Sequence, residues 1–188
     1  MNSRVLIVAV ATASCLIAAP ALAHTGMSTN GLVTGLLHPM TGADHLLAAI
    51  LVGLWAAQLG GRAAWVLPSI FVAVMIGGAV TGMAGLQVAG LEAMAIFSVV
   101  LLGGAFVWGV KPAALVSILA TGVFAVVHGT LHGMEAASIT AGWDFLFGIL
   151  TTTTLLLAVG AVAHAGLRRT AKADSSQPIV ITTKFGVP

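Results

Sequence analysis

The chain has 188 residues, of which 59% are hydrophobic and only 6% charged, and its mean hydropathy is +1.11. A soluble domain carries about 25% charged residues, so the composition excludes one and points to an integral membrane protein. The net charge of +2 comes from basic residues scattered singly, except for Arg168, Arg169 and Lys172. That is not the stripe or patch that nucleic acid demands.

The N-terminus reads as a secretory signal: Arg4 supplies the positive n-region, Val5 to Ala18 the apolar h-region, and Ala21-Leu22-Ala23 a small-x-small cleavage site. The competing reading is an uncleaved first helix. The sequence thus divides into a signal peptide (1–23), a transmembrane domain (24–166) and a polar, flexible cytoplasmic tail (167–188). Cys15, the sole cysteine, leaves with the signal, so the mature chain has neither disulfides nor thiolate ligands. Cleavage after Ala23 makes His24 the first residue, whose α-amine and imidazole together form a bidentate chelator; the plainer reading is an accident of the junction.

Five apolar stretches follow. The first, Gly31 to about Leu59, exceeds one span of about 20 residues and is interrupted at His38-Pro39, because proline removes a backbone donor and disfavours helix in the residue before it. The expected arrangement is a half-helix, a break, then a helix from about Gly42 to Leu59, with Thr41 or Asp44 satisfying free N–H groups. The other spans are expected at Trp65 to Met83, Leu91 to Gly109, Pro112 to His132 and Trp143 to Gly166. The fold class is therefore an all-α, polytopic transmembrane bundle of five spans with a broken first segment; a sixth arises only if that segment crosses twice.

Charge sets the topology. With the mature N-terminus outside, five spans place the Arg62 loop, the Lys111 loop and the Arg168/Arg169/Lys172 tail inside, while the loops near Gly85 to Gly90 and Gly133 to Gly142 carry no Lys or Arg. Asp44, Glu92, Glu135 and Asp144 all fall towards the outer side, where an acidic vestibule would concentrate cations. For Glu92 and Asp144 the alternative is a helix-start residue complementing the dipole.

Ionisable groups within a span cost a few kcal/mol each on insertion scales and mark function by default. Here His38, Asp44 and His45 lie within eight positions of the broken segment. A second cluster ends the fourth span: His128 and His132 are four apart and share a helical face, and Glu135 returns to that face if the helix continues. Gly129 and Gly133, also four apart, form a smooth stripe for a neighbouring helix. The two clusters are expected to form one site on the outer side. His38 should meet His132 and Glu135, while Asp44 and His45 form a deeper station approached by His128. Four imidazoles and two carboxylates without sulfur suit Ni²⁺, Co²⁺ or Zn²⁺ better than Cu⁺ or Mg²⁺. Met27, Met40 and Met134 keep copper open, with packing as the plainer role. His164, near the inner end of the last span, is either an exit ligand or an interfacial histidine without function. Thr151 to Thr154 either line a path or bond their own helix.

The stretch His38-Pro39-Met40-Thr41-Gly42-Ala43-Asp44-His45 resembles the HPxxGxDH signature of the HupE/UreJ family of bacterial nickel/cobalt permeases. Ala23-His24-Thr25-Gly26 and the Phe124-Ala125-x2-His128-Gly129-x2-His132-Gly133-x-Glu135 stretch extend the similarity over the mature chain to about Gly166. The resemblance implies uptake of Ni²⁺ or Co²⁺ across the cytoplasmic membrane. The metal ion would be cargo rather than a permanently bound cofactor, and the residues His38, Asp44, His45, His128, His132 and Glu135 its ligands. The family is usually described with about six spans, against the five that charge favours here.

Three other functions compete with the permease. One is a membrane electron-transfer protein with haem between His45 and His128, against which the adjacent acids add ligands haem does not need. Another is a di-iron membrane enzyme, for which the histidines are too few. The last is a non-transporting scaffold for metalloenzyme assembly. No Walker A pattern is present, so a permease here would draw on gradients or on another subunit. The partners expected are a divalent ion and membrane lipid.

Overall fold

The computed structural model describes residues 31–175; the expected signal segment with Cys15, and His24, lie outside them. Every element among the described residues is helical: α1 (Gly31–Thr41), α2 (Ala43–Leu59), α3 (Ala63–Met83), α4 (Leu91–Val107), α5 (Ala114–Ala137) and α6 (Gly142–Ser175). Helices α3, α5 and α6 are each long and apolar enough to cross a bilayer, and α1 with α2 passes the same test as a pair bent by 78°. Helix α4, with 17 residues, is shorter, about 25 Å. Trp65, Trp108 and Trp143, at helix ends, are exposed, as are interfacial aromatic anchors in membrane proteins.

The break is displaced from the position that the sequence indicates. Helix α1 runs through Pro39 and stops at Thr41, and the chain turns at Gly42, which is extended at φ −93° and ψ 110°. Pro39 sits in the last turn of α1, so it removes only the donor to the Gly35 carbonyl and cannot end the helix where it stands. The Thr41 hydroxyl donates to the His38 carbonyl (2.8 Å), and no side chain caps Gly42. Asp44 lies in the first turn of α2.

Two helix pairs carry the packing, and glycine makes both possible. A Cβ on Gly129 or Gly133 of α5 would run into the backbone carbonyls of Met75 or Ala79 of α3; one on Gly78 or Gly82 of α3 would strike the α5 backbone. The register rises together, Met75 to Gly129 and Ala79 to Gly133, so these helices are parallel. The stripe foreseen on α5 is therefore filled by α3. In the second pair, Gly31 abuts Ala141 and Gly35 abuts Phe145 of α6, while Gly53 meets Leu157 and Gly160 meets Ile50. The broken segment thus advances along α6 in one direction, again parallel. Such contacts substitute van der Waals packing and close backbone approach for the hydrophobic drive that lipid does not supply. The core, with Leu67, Phe71, Met75, Phe106, Phe145 and Ile149, fills the space between the helices.

Helix α5 runs to Ala137, beyond the expected end at His132, because Gly133 is a packing position and not a stop. Helix α6 likewise continues past Gly166 to Ser175, so residue 167 marks a change of composition and not a helix end. Glu92 and Asp144 occupy exposed first-turn positions of α4 and α6, where their charge complements the helix dipole.

Candidate metal site

The bend at Gly42 turns His38, Asp44 and His45 towards the face of α5 that carries His128, His132 and Glu135. All six residues meet. His38 Nε2 lies 2.9 Å from Glu135 Oε2, and the same oxygen is 3.4 Å from His132 Nδ1. The His38 and His132 rings are 5.2 Å apart between centroids, those of His45 and His132 4.4 Å, and those of His45 and His128 5.2 Å. His38 therefore pairs with His132 and Glu135 and His128 with His45, as expected, while His45 also lies against the tilted His132 ring and links the two groups.

The second nitrogen of each deep ring explains the arrangement. His128 Nδ1 is 2.9 Å from the Phe124 carbonyl, which only accepts, so Nδ1–H donates and Nε2 carries the lone pair. Asp44 Oδ1 accepts from His45 Nδ1 at 2.9 Å and leaves His45 Nε2 in the same state. Both Nε2 atoms are buried without a hydrogen-bond partner. Orienting a metal-binding histidine through its other ring nitrogen is the usual outer-shell device, and the Asp44–His45 contact has that geometry.

Nearer the surface, His38, His132 and Glu135 each offer one ligand atom, all within 4.8 Å of one another. Metal–ligand bonds near 2 Å put two donors about 4 Å apart at most, so a closure of about an ångström would place all three on one ion. Glu135, with 38% of its side chain exposed, faces outwards, whereas His132 is only 3% exposed. The two carboxylates of the cluster match the charge of a divalent cation.

Further hydroxyls on α5 went unnoticed in the sequence. Ser117 and Thr121 are buried and fall, at 100° per residue, with His128, His132 and Glu135 in an arc of about 60°. The Thr121 Oγ1 has no hydrogen-bond partner. Their spacings of eleven and seven residues from His128 carried the signal. Of the threonine run, Thr151 and Thr154 bond their own helix at Phe147 and Leu150, but Thr152 reaches across to the Leu36 carbonyl of α1 at 2.7 Å. His164 is buried beside Phe106, away from the cluster, and lines a separate cavity.

An apolar bundle of membrane-crossing helices that encloses four imidazoles and two carboxylates defines a polytopic membrane protein built around an internal polar cluster. The HupE / UreJ protein family matches residues 12–187, and the chain belongs to that family. It is 38% identical over 146 residues to "Protein HupE" of Rhizobium leguminosarum bv. viciae, an alignment covering 78% of this chain and 76% of that protein. No solved structure matches the chain.

Proposed function

We propose that this protein is a permease that carries Ni²⁺, Co²⁺ or both across the cytoplasmic membrane, the metal ion being its substrate. The observation that carries the reading is the convergence of two sequence-distant clusters, with the Nε2 atoms of His45 and His128 buried, lone pairs available and no protein partner. The donor set of imidazole and carboxylate without sulfur is that of a borderline divalent ion.

The route begins at Glu135, the most exposed ligand. A divalent ion displaces the protons by which His38 and His132 bind the Glu135 carboxylate, then passes to His45 and His128, whose rings Asp44 and the Phe124 carbonyl hold in place. It continues along the same face of α5 past Thr121 and Ser117. From Glu135 to Ser117 this polar stripe covers about 27 Å, close to the roughly 30 Å hydrocarbon thickness of a bilayer. A potential negative inside favours inward movement of a divalent ion by about 4.6 kcal/mol per 100 mV. The haem alternative fits less well: the His45 and His128 rings are in edge contact and leave no slot for a macrocycle between them.

The topology is five crossings, with Arg62, Lys111, Arg168 and Arg169 cytoplasmic. Two facts support it. The broken segment moves past α6 in one direction, as one bent crossing would, and both glycine-packed pairs are parallel, which alternating spans 1 and 5, and 2 and 4, require.

The test is metal uptake by proteoliposomes holding the purified protein, with Ni²⁺, Co²⁺ and Zn²⁺ in competition. Uptake of Ni²⁺ or Co²⁺ above protein-free vesicles, abolished by His45→Ala, is the expected result. Folded, inserted protein that moves none of the three ions overturns the proposal.

A further inference from the structure

At the end of the bundle remote from the histidine cluster lies a cavity of about 260 Å³ bounded by Gln58, Gly109, Lys111, His164 and Arg168. We propose that it is an anion site, built for a phosphate group that also offers a hydroxyl: the phosphoglycerol headgroup of an anionic lipid, or free hydrogen phosphate.

Charge gives the first argument. Lys111 and Arg168 both border the cavity, no carboxylate does, and neither cation has an acidic partner among the described residues. The acids with described side chains, Asp44, Glu92, Glu135 and Asp144, lie at the opposite end of their helices. Two cations at its border disfavour a divalent metal, so His164 is misplaced as an exit ligand, and favour an oxyanion, for which Arg and Lys are the usual partners.

The walls are built rather than incidental. Gly109, at φ +65°, ends α4 with Val110 N–H bonded to the Ala105 carbonyl, and the indole N–H of Trp55 donates to the Val110 carbonyl at 3.2 Å. This turn fixes Lys111 at the cavity mouth. From α2, the Gln58 side-chain amide donates to the Phe106 carbonyl at 3.0 Å, and His164, 5% exposed, packs at the back against Phe106. An occupant would therefore join α2, the α4–α5 connection and α6.

Gln58 specifies the rest of the ligand. With its nitrogen committed, its Oε1 is left buried and without a donor. An unpaired buried carbonyl is unfavourable, and a ligand hydroxyl relieves that cost while Lys111 and Arg168 hold the phosphoryl oxygens. The cavity lies just below the range of about 300–1,000 Å³ for drug-sized ligands, which suits a headgroup or an oxyanion with water. The site stands independently of the permease reading.

The experiment measures thermal unfolding and bound-lipid counts by native mass spectrometry on the full chain, with phosphatidylglycerol, phosphatidylcholine or inorganic phosphate at constant ionic strength. Phosphatidylglycerol should raise the unfolding temperature and remain bound where phosphatidylcholine does neither. If inorganic phosphate alone gives the same stabilisation and displaces the lipid, the source is the free anion; if it does not, the source is the headgroup. Lys111→Gln and Arg168→Gln should each weaken binding about tenfold, the scale of one charged hydrogen bond. Arg62→Gln, the same charge change on a neighbouring loop outside the cavity, should leave it unchanged. The inference fails if neither anionic probe binds better than phosphatidylcholine, or if Arg62→Gln weakens binding as much as Lys111→Gln, which would mean general surface attraction.

Discussion

The sharpest consequence of the site geometry concerns Asp44, whose carboxylate is a natural candidate for a ligand yet is spent on His45. Its Oδ1 accepts the Nδ1–H of that ring at 2.9 Å, and both side chains are largely enclosed, with 24% and 12% exposed. On the permease reading Asp44 is then a positioning residue: it fixes the tautomer and would aim Nε2 at the ion. Outer-shell partners of this kind are worth about 10–100-fold in metal affinity. Asp44→Asn keeps an oxygen that can accept the same N–H but loses the charge, so its expected cost is about tenfold, or about 1.4 kcal/mol. Asp44→Leu leaves Nδ1–H without an acceptor and should approach a hundredfold, while His45→Ala removes the ligand and abolishes uptake. Initial rates of ⁶³Ni²⁺ uptake against free Ni²⁺ give the KM of each variant, and calorimetric Ni²⁺ binding on the purified protein separates affinity from turnover. The reasoning is refuted if Asp44→Asn fails as completely as His45→Ala, since Asp44 would then be coordinating the ion directly. It is refuted equally if Asp44→Leu matches the wild type.

Three further outcomes are expected. A reporter fused after Arg169 should be cytoplasmic and one in the Gly85 to Gly90 loop periplasmic; a periplasmic C-terminus would require the broken segment to cross twice. Thr121→Val should lower uptake several-fold while leaving Ni²⁺ affinity at the outer site intact, and Thr121→Ser should restore it; equal rates for all three would remove Thr121 from the route. Gly133→Ala forces a methyl group onto the Ala79 carbonyl and should destabilise the fold by about 1–3 kcal/mol, whereas Gly122→Ala, on the same helix with open space around it, should be neutral or stabilising in thermal unfolding.

The ligand face of α5 was legible because its period is intrinsic to one helix. His128, His132 and Glu135 fall together at 100° per residue whatever surrounds them, and Gly129 and Gly133 mark a second face by the same arithmetic. The helix break was legible in kind but not in position. Proline advertises a missing donor, yet near a helix end that loss is cheap, and the turn fell to Gly42, whose freedom the string Pro39-Met40-Thr41-Gly42 does not rank. Tertiary partners were the least visible. Nothing local shows that the Thr152 hydroxyl leaves its own helix for the Leu36 carbonyl while Thr151 and Thr154 stay on theirs. Nor does Gln58 disclose that its amide closes a cavity with Lys111 and Arg168, some fifty and a hundred residues away in the chain.

The two halves of the His/Asp/Glu cluster ride on different bodies of the bundle. His38, Asp44 and His45 belong to the broken segment, which glycines lock to α6 from Gly31 to Gly53; His128, His132 and Glu135 belong to α5, which glycines lock to α3. At these glycines backbone meets backbone and leaves little to compress, so displacement is cheaper between the pairs than inside them. The contacts that join the clusters, the His38–Glu135 bridge and the ring contacts of His38 with His132 and of His45 with His128 and His132, cross that seam. An ion coordinated by His38, His132 and Glu135 would be held by both bodies at once, and drawing ligand atoms that lie within 4.8 Å of one another onto bonds near 2 Å would draw one pair towards the other. On the proposed permease reading, ligation and relative movement of the pairs are therefore one coordinate, which is the coupling that alternating access requires.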